Sequence, residues 1–254
     1  MRALPLLALL LPSAMLLNGC AGSTKSFVNR PPSLQVGAAA LAGGAPEAAL
    51  SVARRQLAIN RDDLGALLIE GQALTEMGEM AQAEGSFRRA LRVSSSSTGA
   101  QFGLGRVLLL SGRAPDAEAA FRRVLASSPR DPRALTNLGI SLDMQEKHSE
   151  AQVAYQKALE ESPELDAARV NLGLSMALGG NAAQGVEVLR PLAASPSAPR
   201  RVRHDLATAL AMSGDQAGAA SLLKPDLSPE QMPIAMAGYA ALNTSTGPVA
   251  APAP

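Results

Sequence analysis

A period of 34 residues runs through this chain and constrains its fold more than any other feature. Gly71, Gly105, Gly139 and Gly173 are each 34 residues apart, and Ala207 continues the series. Leu74, Leu108, Leu142, Met176 and Leu210 form a second register. Ala83, Ala117, Ala151, Gly185 and Ala219 form a third. Phe87, Phe121, Tyr155, Leu189 and Leu223 form a fourth. Self-similarity at a fixed period of this size means a stack of equal units, each too small to bury its own apolar face. Abundant Ala and Leu and few β-branched residues favour helices for those units.

These positions and residue types resemble the tetratricopeptide repeat (TPR), a helix–turn–helix unit. The resemblance implies an all-α fold, a right-handed superhelical solenoid with a concave groove. Repeats fall at 64–97, 98–131, 132–165, 166–199 and 200–233, with a degenerate one at 30–63, so the solenoid spans 30–233. Helix A occupies about the first fourteen residues of each repeat, and helix B the rest. Gly105 and Ala117 are expected to face one another where the two helices cross. Gly71, Gly139, Gly173, Ala83 and Ala151 take the same packing role. Phe87, Phe121 and Tyr155 are expected to fill the space between neighbouring repeats. Gly78, Gly112, Gly180 and Gly214 fall at the A–B turn, where a left-handed residue ends helix A. Pro129 and Pro163 end helix B. Ser228-Pro229-Glu230 reads as a helix start. The helix over 228–242 is expected to cap the last repeat, followed by a disordered Pro/Ala-rich tail at 243–254.

The first residues have another task. Arg2 precedes an apolar run of about fifteen residues, the length of a secretory core segment and too short to span a bilayer. The run ends in Leu17-Asn18-Gly19-Cys20, which resembles the lipobox of bacterial lipoproteins, with Asn18 where the family prefers a smaller residue. The resemblance implies a signal peptide at 1–19, lipidation of Cys20, and a tether at 20–29. With Ala21 after the cysteine it also implies an outer-membrane lipid anchor, with the solenoid facing the periplasm.

Composition excludes several functions. With 23 Lys+Arg against 22 Asp+Glu, the net charge of +1 argues against nucleic-acid binding. Two His and one Cys make a metal site improbable. Gly103-Leu104-Gly105 lacks the strand and the Gly-Lys-Ser/Thr of a phosphate loop. His204 and Asp205 have no nucleophile elbow beside them, and His148 is placed in an exposed turn. No enzyme, cofactor or small-molecule substrate is expected.

Recognition of protein remains. Asn137, Asn171 and Asp205 share one helix A position, and Arg169 and Arg203 stand two places before it, with Arg133 near Asn137. Such a ladder suits the backbone and carboxylates of an extended peptide. Residues 200–240 resemble the end of the TadD family, TPR lipoproteins of the tight-adherence (Flp) pilus machinery. That resemblance implies an assembly factor whose partner is the secretin or another pilus component. The alternative is a TPR lipoprotein adaptor of another envelope system: a type IV pilus pilotin, a cell-wall hydrolase or protease adaptor, or a polysaccharide-export scaffold.

Overall fold

The computed structural model describes residues 32–195 and 197–245. The segments expected to be a signal peptide (1–19) and a tether, with Cys20, and the chain from Thr246 lie outside the described residues. Helices follow one another in antiparallel pairs. They are α1 (Pro32–Ala42) and α2 (Pro46–Ile59), α3 (Leu64–Glu76) and α4 (Met80–Val93), and α5 (Thr98–Leu110) and α6 (Ala114–Ser127). Next come α7 (Pro132–Asp143) and α8 (His148–Glu161), α9 (Asp166–Leu178) and α10 (Ala182–Ala193), and α11 (Arg200–Met212) and α12 (Gln216–Leu223). The last helix, α13 (Gln231–Ser245), packs on α11 and α12 and covers the end of the stack.

The first helix of each pair, helix A, touches helix A of the next pair from α1 through to α11. The backbones of successive B helices stay farther apart and meet only through long side chains: Arg54 of α2 donates to Gln82 of α4, and Arg122 of α6 pairs with Glu150 of α8. The A helices therefore form the tight inner layer, and the stack curls with that layer on its concave side.

Local sequence explains the boundaries. Asp63, Ser97 and Asp131, at 34-residue spacing, each accept backbone N–H bonds at the start of a helix A. Leu165 and Pro199 hold the same place and offer no side-chain cap. The A–B turns need positive φ, and Gly44, Gly78, Gly112, Gly180 and Gly214 supply it. The pair α7–α8 departs from this rule. Glu146 takes the left-handed position there at φ 61°. An L-residue in that conformation costs about 1–2 kcal/mol, partly offset by glycine's greater freedom in the unfolded chain. Glu146→Gly is expected to stabilise the protein by about 0.5–1 kcal/mol, a rise in Tm of about 1–4 °C in thermal melts followed by circular dichroism. An unchanged or lowered Tm would contradict it.

The packing registers are buried, but they pack differently from the sequence expectation. The ring of Phe121 lies on Gly105 of its own repeat, 2.8 Å from where a Cβ would stand. Tyr155 covers Gly139 in the same way, at 2.4 Å. Both rings therefore close their own helix pair instead of lying mainly in the seam between repeats. Phe87 does span that seam. It lies on Gly71 of its own repeat and on Gly103 of the next. Ala83, Ala117 and Ala151 are fully buried. Gly185, in their register, sits so close to α9 that a Cβ would be 2.5 Å from the carbonyl oxygen of Gly173.

Two further expectations change. Helix α13 starts at Gln231 and not near Pro229, which puts Pro233 in the first turn, where a backbone N–H has no intrahelical partner to lose. It then runs to Ser245, three residues into the stretch expected to be unstructured. His148 is the first residue of α8, with its side chain only 20% exposed and its Nδ1 2.9 Å from Asp143 Oδ1.

The core runs as one cluster from Leu34 to Leu172 and a second from Val170 to Leu223, which Met232, Met236 and Tyr239 of α13 extend. Among the described residues no helix is long and apolar enough to cross a membrane.

Candidate functional site: the concave groove

Three successive A helices share one open pocket of about 270 Å³, lined by Phe102 and Arg106 of α5, Arg133, Thr136 and Asn137 of α7, and Leu165 and Ala167 at the start of α9. Packing holds it in shape from beneath. The ring of Phe121 meets that of Phe102 edge to face at 5.7 Å, and Arg133 stacks over the Phe102 ring at 5.3 Å. A second pocket of about 330 Å³ lies between α9, the end of α10 and α11, with Asn171 and Arg201 on its walls.

The predicted ladder is only partly assembled. Arg133 and Asn137 come together in the first pocket, and Asn171 stands in the second. Both amide groups are engaged with their own helix: Asn137 donates to the Arg133 carbonyl and Asn171 to that of Ala167, each at 2.8 Å. Each therefore presents its carboxamide oxygen, and that of Asn171 accepts a long bond from Arg201 at 3.4 Å.

The other candidates do not face a ligand. Asp205 is buried, and its Oδ2 has no hydrogen-bond partner. Burial pushes its carboxyl above the usual carboxylate range, against the pull of Arg201 and His204. Arg169 donates to Asp166 and to the Pro163 carbonyl at the repeat junction. Arg203 forks onto Asp226 at 2.8 and 2.7 Å and donates to the Ala198 carbonyl. Those bonds fasten the turn after α12 to α11, and hydrogen bonding to Arg203 holds the Asp226 carboxyl below its ordinary range.

Arg106, Phe102 and Arg201 were missed in the sequence. Arg106 carried a visible signal, because Gln72, Ile140, Leu174 and Thr208 hold its position in other repeats and none is charged.

A second polar cluster lies at the seam of α7, α8 and α9. Asp143 accepts from Tyr155 at 2.8 Å, from Ser175 at 2.7 Å, and pairs with His148 at 2.9 Å. Ser, His and Asp are all present, yet Ser175 Oγ bonds the carboxylate and not the imidazole, and it is fully buried. A nucleophile needs the opposite order, hydroxyl to imidazole to carboxylate. The cluster ties three helices together. Glu118 links α6 to the turn between α7 and α8 in a similar way. Burial opposes its ionisation, but hydrogen bonds from Gln145, Arg122 and Lys147 outweigh that and hold its carboxyl at about 2. Among the described residues no group of three or more His, Cys, Asp or Glu is placed to hold a metal.

Residues 68–132 and 111–164 match the profile of the tetratricopeptide repeat. The fold is a tetratricopeptide-repeat solenoid. No curated protein matches the sequence. Solved TPR structures do share its shape. PilW, titled a widely conserved type IV pilus biogenesis factor, superposes with a TM-score of 0.71 at 18% identity, over 80% of this chain and 96% of that one. A tetratricopeptide repeat protein from Parabacteroides merdae gives 0.63 at 15% identity, over 84% and 83%. YrrB, titled a TPR protein with an unusual peptide-binding site, gives 0.54 at 18% identity, over 76% and 96%. A TPR solenoid is a scaffold suited to protein–protein interaction.

Proposed function

We propose that this chain is a TPR scaffold lipoprotein, anchored to the outer membrane through Cys20, that assists assembly or localisation of a Flp/Tad pilus secretion machine by binding a protein component of it. The observation that carries the binding role is the groove shared by α5, α7 and α9, where an apolar floor, two guanidinium groups and the Asn137 carboxamide converge. The lipobox-like Leu17-Asn18-Gly19-Cys20 supports the anchor, and the resemblance of residues 200–240 to the TadD family supports the pilus. A second reading is an assembly factor of the type IV pilus or another envelope machine, favoured by the likeness to PilW.

The test replaces the gene by its Cys20→Ser version and by a clean deletion. In the pilus reading, deletion mislocalises the secretin and abolishes pili. Cys20→Ser abolishes palmitate labelling and releases the protein from the membrane fraction. Normal pili and secretin in the deletion strain would overturn the pilus role. A membrane-bound, palmitate-labelled Cys20→Ser protein would overturn the anchor.

A further inference from the structure

We infer that the pocket between α5, α7 and α9 is a carboxylate subsite, so that the groove selects an extended protein segment bearing Asp or Glu beside apolar residues. The inference rests on the reading of the groove as a peptide-binding surface and adds the class of peptide.

Charge is the first argument. The pocket lining contains two guanidinium groups, Arg106 and Arg133, and no carboxylate. Arg106 is exposed and forms no hydrogen bond or ion pair within the described residues. Arg133 has only Asp131, at 3.8 Å, and that carboxylate is already capping α7 through the N–H groups of Arg133 and Ala134. Elsewhere the solenoid matches many of its arginines closely: Arg113 with Glu84 and Asp116, Arg122 with Glu118, Arg203 with Asp226. Two neighbouring cations facing a common space repel each other, and an incoming carboxylate removes that repulsion while accepting charge-assisted hydrogen bonds.

Preorganisation is the second. Stacking on Phe102, itself held by Phe121, restricts the Arg133 guanidinium before any ligand arrives. The third is the apolar surroundings. Leu110 and Met144 occupy one repeat position at the end of their A helices and are 58% and 49% exposed. Leu178 and Met212 continue that register, half-buried. Leu110 follows Arg106 by four residues on α5 and so stands on the same face, an apolar neighbour of the basic pocket that fits a segment bearing acidic beside apolar side chains. The pocket lies mid-solenoid with A helices continuing on both sides, so a chain can run through it. The carboxylate is therefore that of an internal Asp or Glu, not a chain terminus.

The test selects phage-displayed random dodecapeptides on the wild-type protein. Enriched sequences are then synthesised with blocked ends and measured by fluorescence anisotropy. Asp or Glu beside an apolar residue is expected in the enriched set. Replacing that residue by Asn or Gln should weaken binding about tenfold or more, and Arg106→Glu with Arg133→Glu should weaken it at least as much. Binding should also fall as salt rises. Both arginines are exposed, so an unchanged melting curve shows that the double variant is folded. Enriched peptides that lack acidic residues but still lose binding with Asn137→Ala and Asn171→Ala would overturn the carboxylate subsite and leave the peptide groove standing. No enrichment, or binding indifferent to every substitution on the A helices, would overturn both.

Discussion

Tyr155→Ala is expected to lower the free energy of unfolding by about 3–5 kcal/mol. The ring is fully buried against Gly139, and its loss opens a cavity inside the α7–α8 pair. It also takes the hydroxyl away from Asp143, leaving a half-buried carboxylate short of one donor. Burial, then the charge of Asp143 and the hydrogen bond to it, raise the phenol far above its ordinary value, so it stays a donor at any working pH. Tyr155→Phe separates the two contributions. It keeps the ring and should cost about 1–3 kcal/mol. Urea titration measures both. A loss below about 1 kcal/mol for the alanine variant would mean that the ring does not hold the pair together.

Gly103→Ala is expected to cost about 2–4 kcal/mol, although it adds a single methyl group to a helix that should welcome it. Propensity alone favours alanine there by about 1 kcal/mol. Sterics decide otherwise. The new Cβ would stand 2.3 Å from Cε1 and Cζ of Phe87. The ring has little room to retreat, because it is also packed on Gly71, where a Cβ would stand only 2.8 Å from it. Phe87→Leu in the same chain should recover part of the loss, since the two residues share one space and their effects are not additive. A Gly103→Ala protein as stable as wild type in urea would show that the junction between the second and third helix pairs yields easily.

The pattern of elements was legible in the sequence because it is repeated. Gly78, Gly112, Gly180 and Gly214 mark their turns by residue type alone, since positive φ is a local demand. Glu146 could not be read so, because nothing in a glutamate announces a left-handed backbone; only its place in the period does. The groove was half legible. Asn137 and Asn171 stand at the right position, but that their amide groups turn back on their own helix depends on side-chain torsions that the period does not fix. Arg203 was misjudged for a tertiary reason. Its partner, Asp226, lies beyond the next helix, and only folding brings them together. Asp205 follows the register of the two asparagines, yet it is buried. Arg106 is invisible to the period, because it breaks the pattern: no other repeat places a charge at its position.

The outer helices meet one another only through long side chains, and this has a mechanical consequence. Each B helix packs on the A helix that follows it, while the backbones of successive B helices stay apart, so the outer side has room to widen or close. Opening the array therefore strains only exposed side-chain links such as Arg54–Gln82 and Arg122–Glu150 on that side, and leaves Phe121 and Tyr155 buried within their own pairs. The protein should behave as a spring with stiff coils and slack between their outer rims. A cargo longer or bulkier than the resting groove can then be accommodated by a small opening shared among five joints, each contributing a fraction of the total displacement.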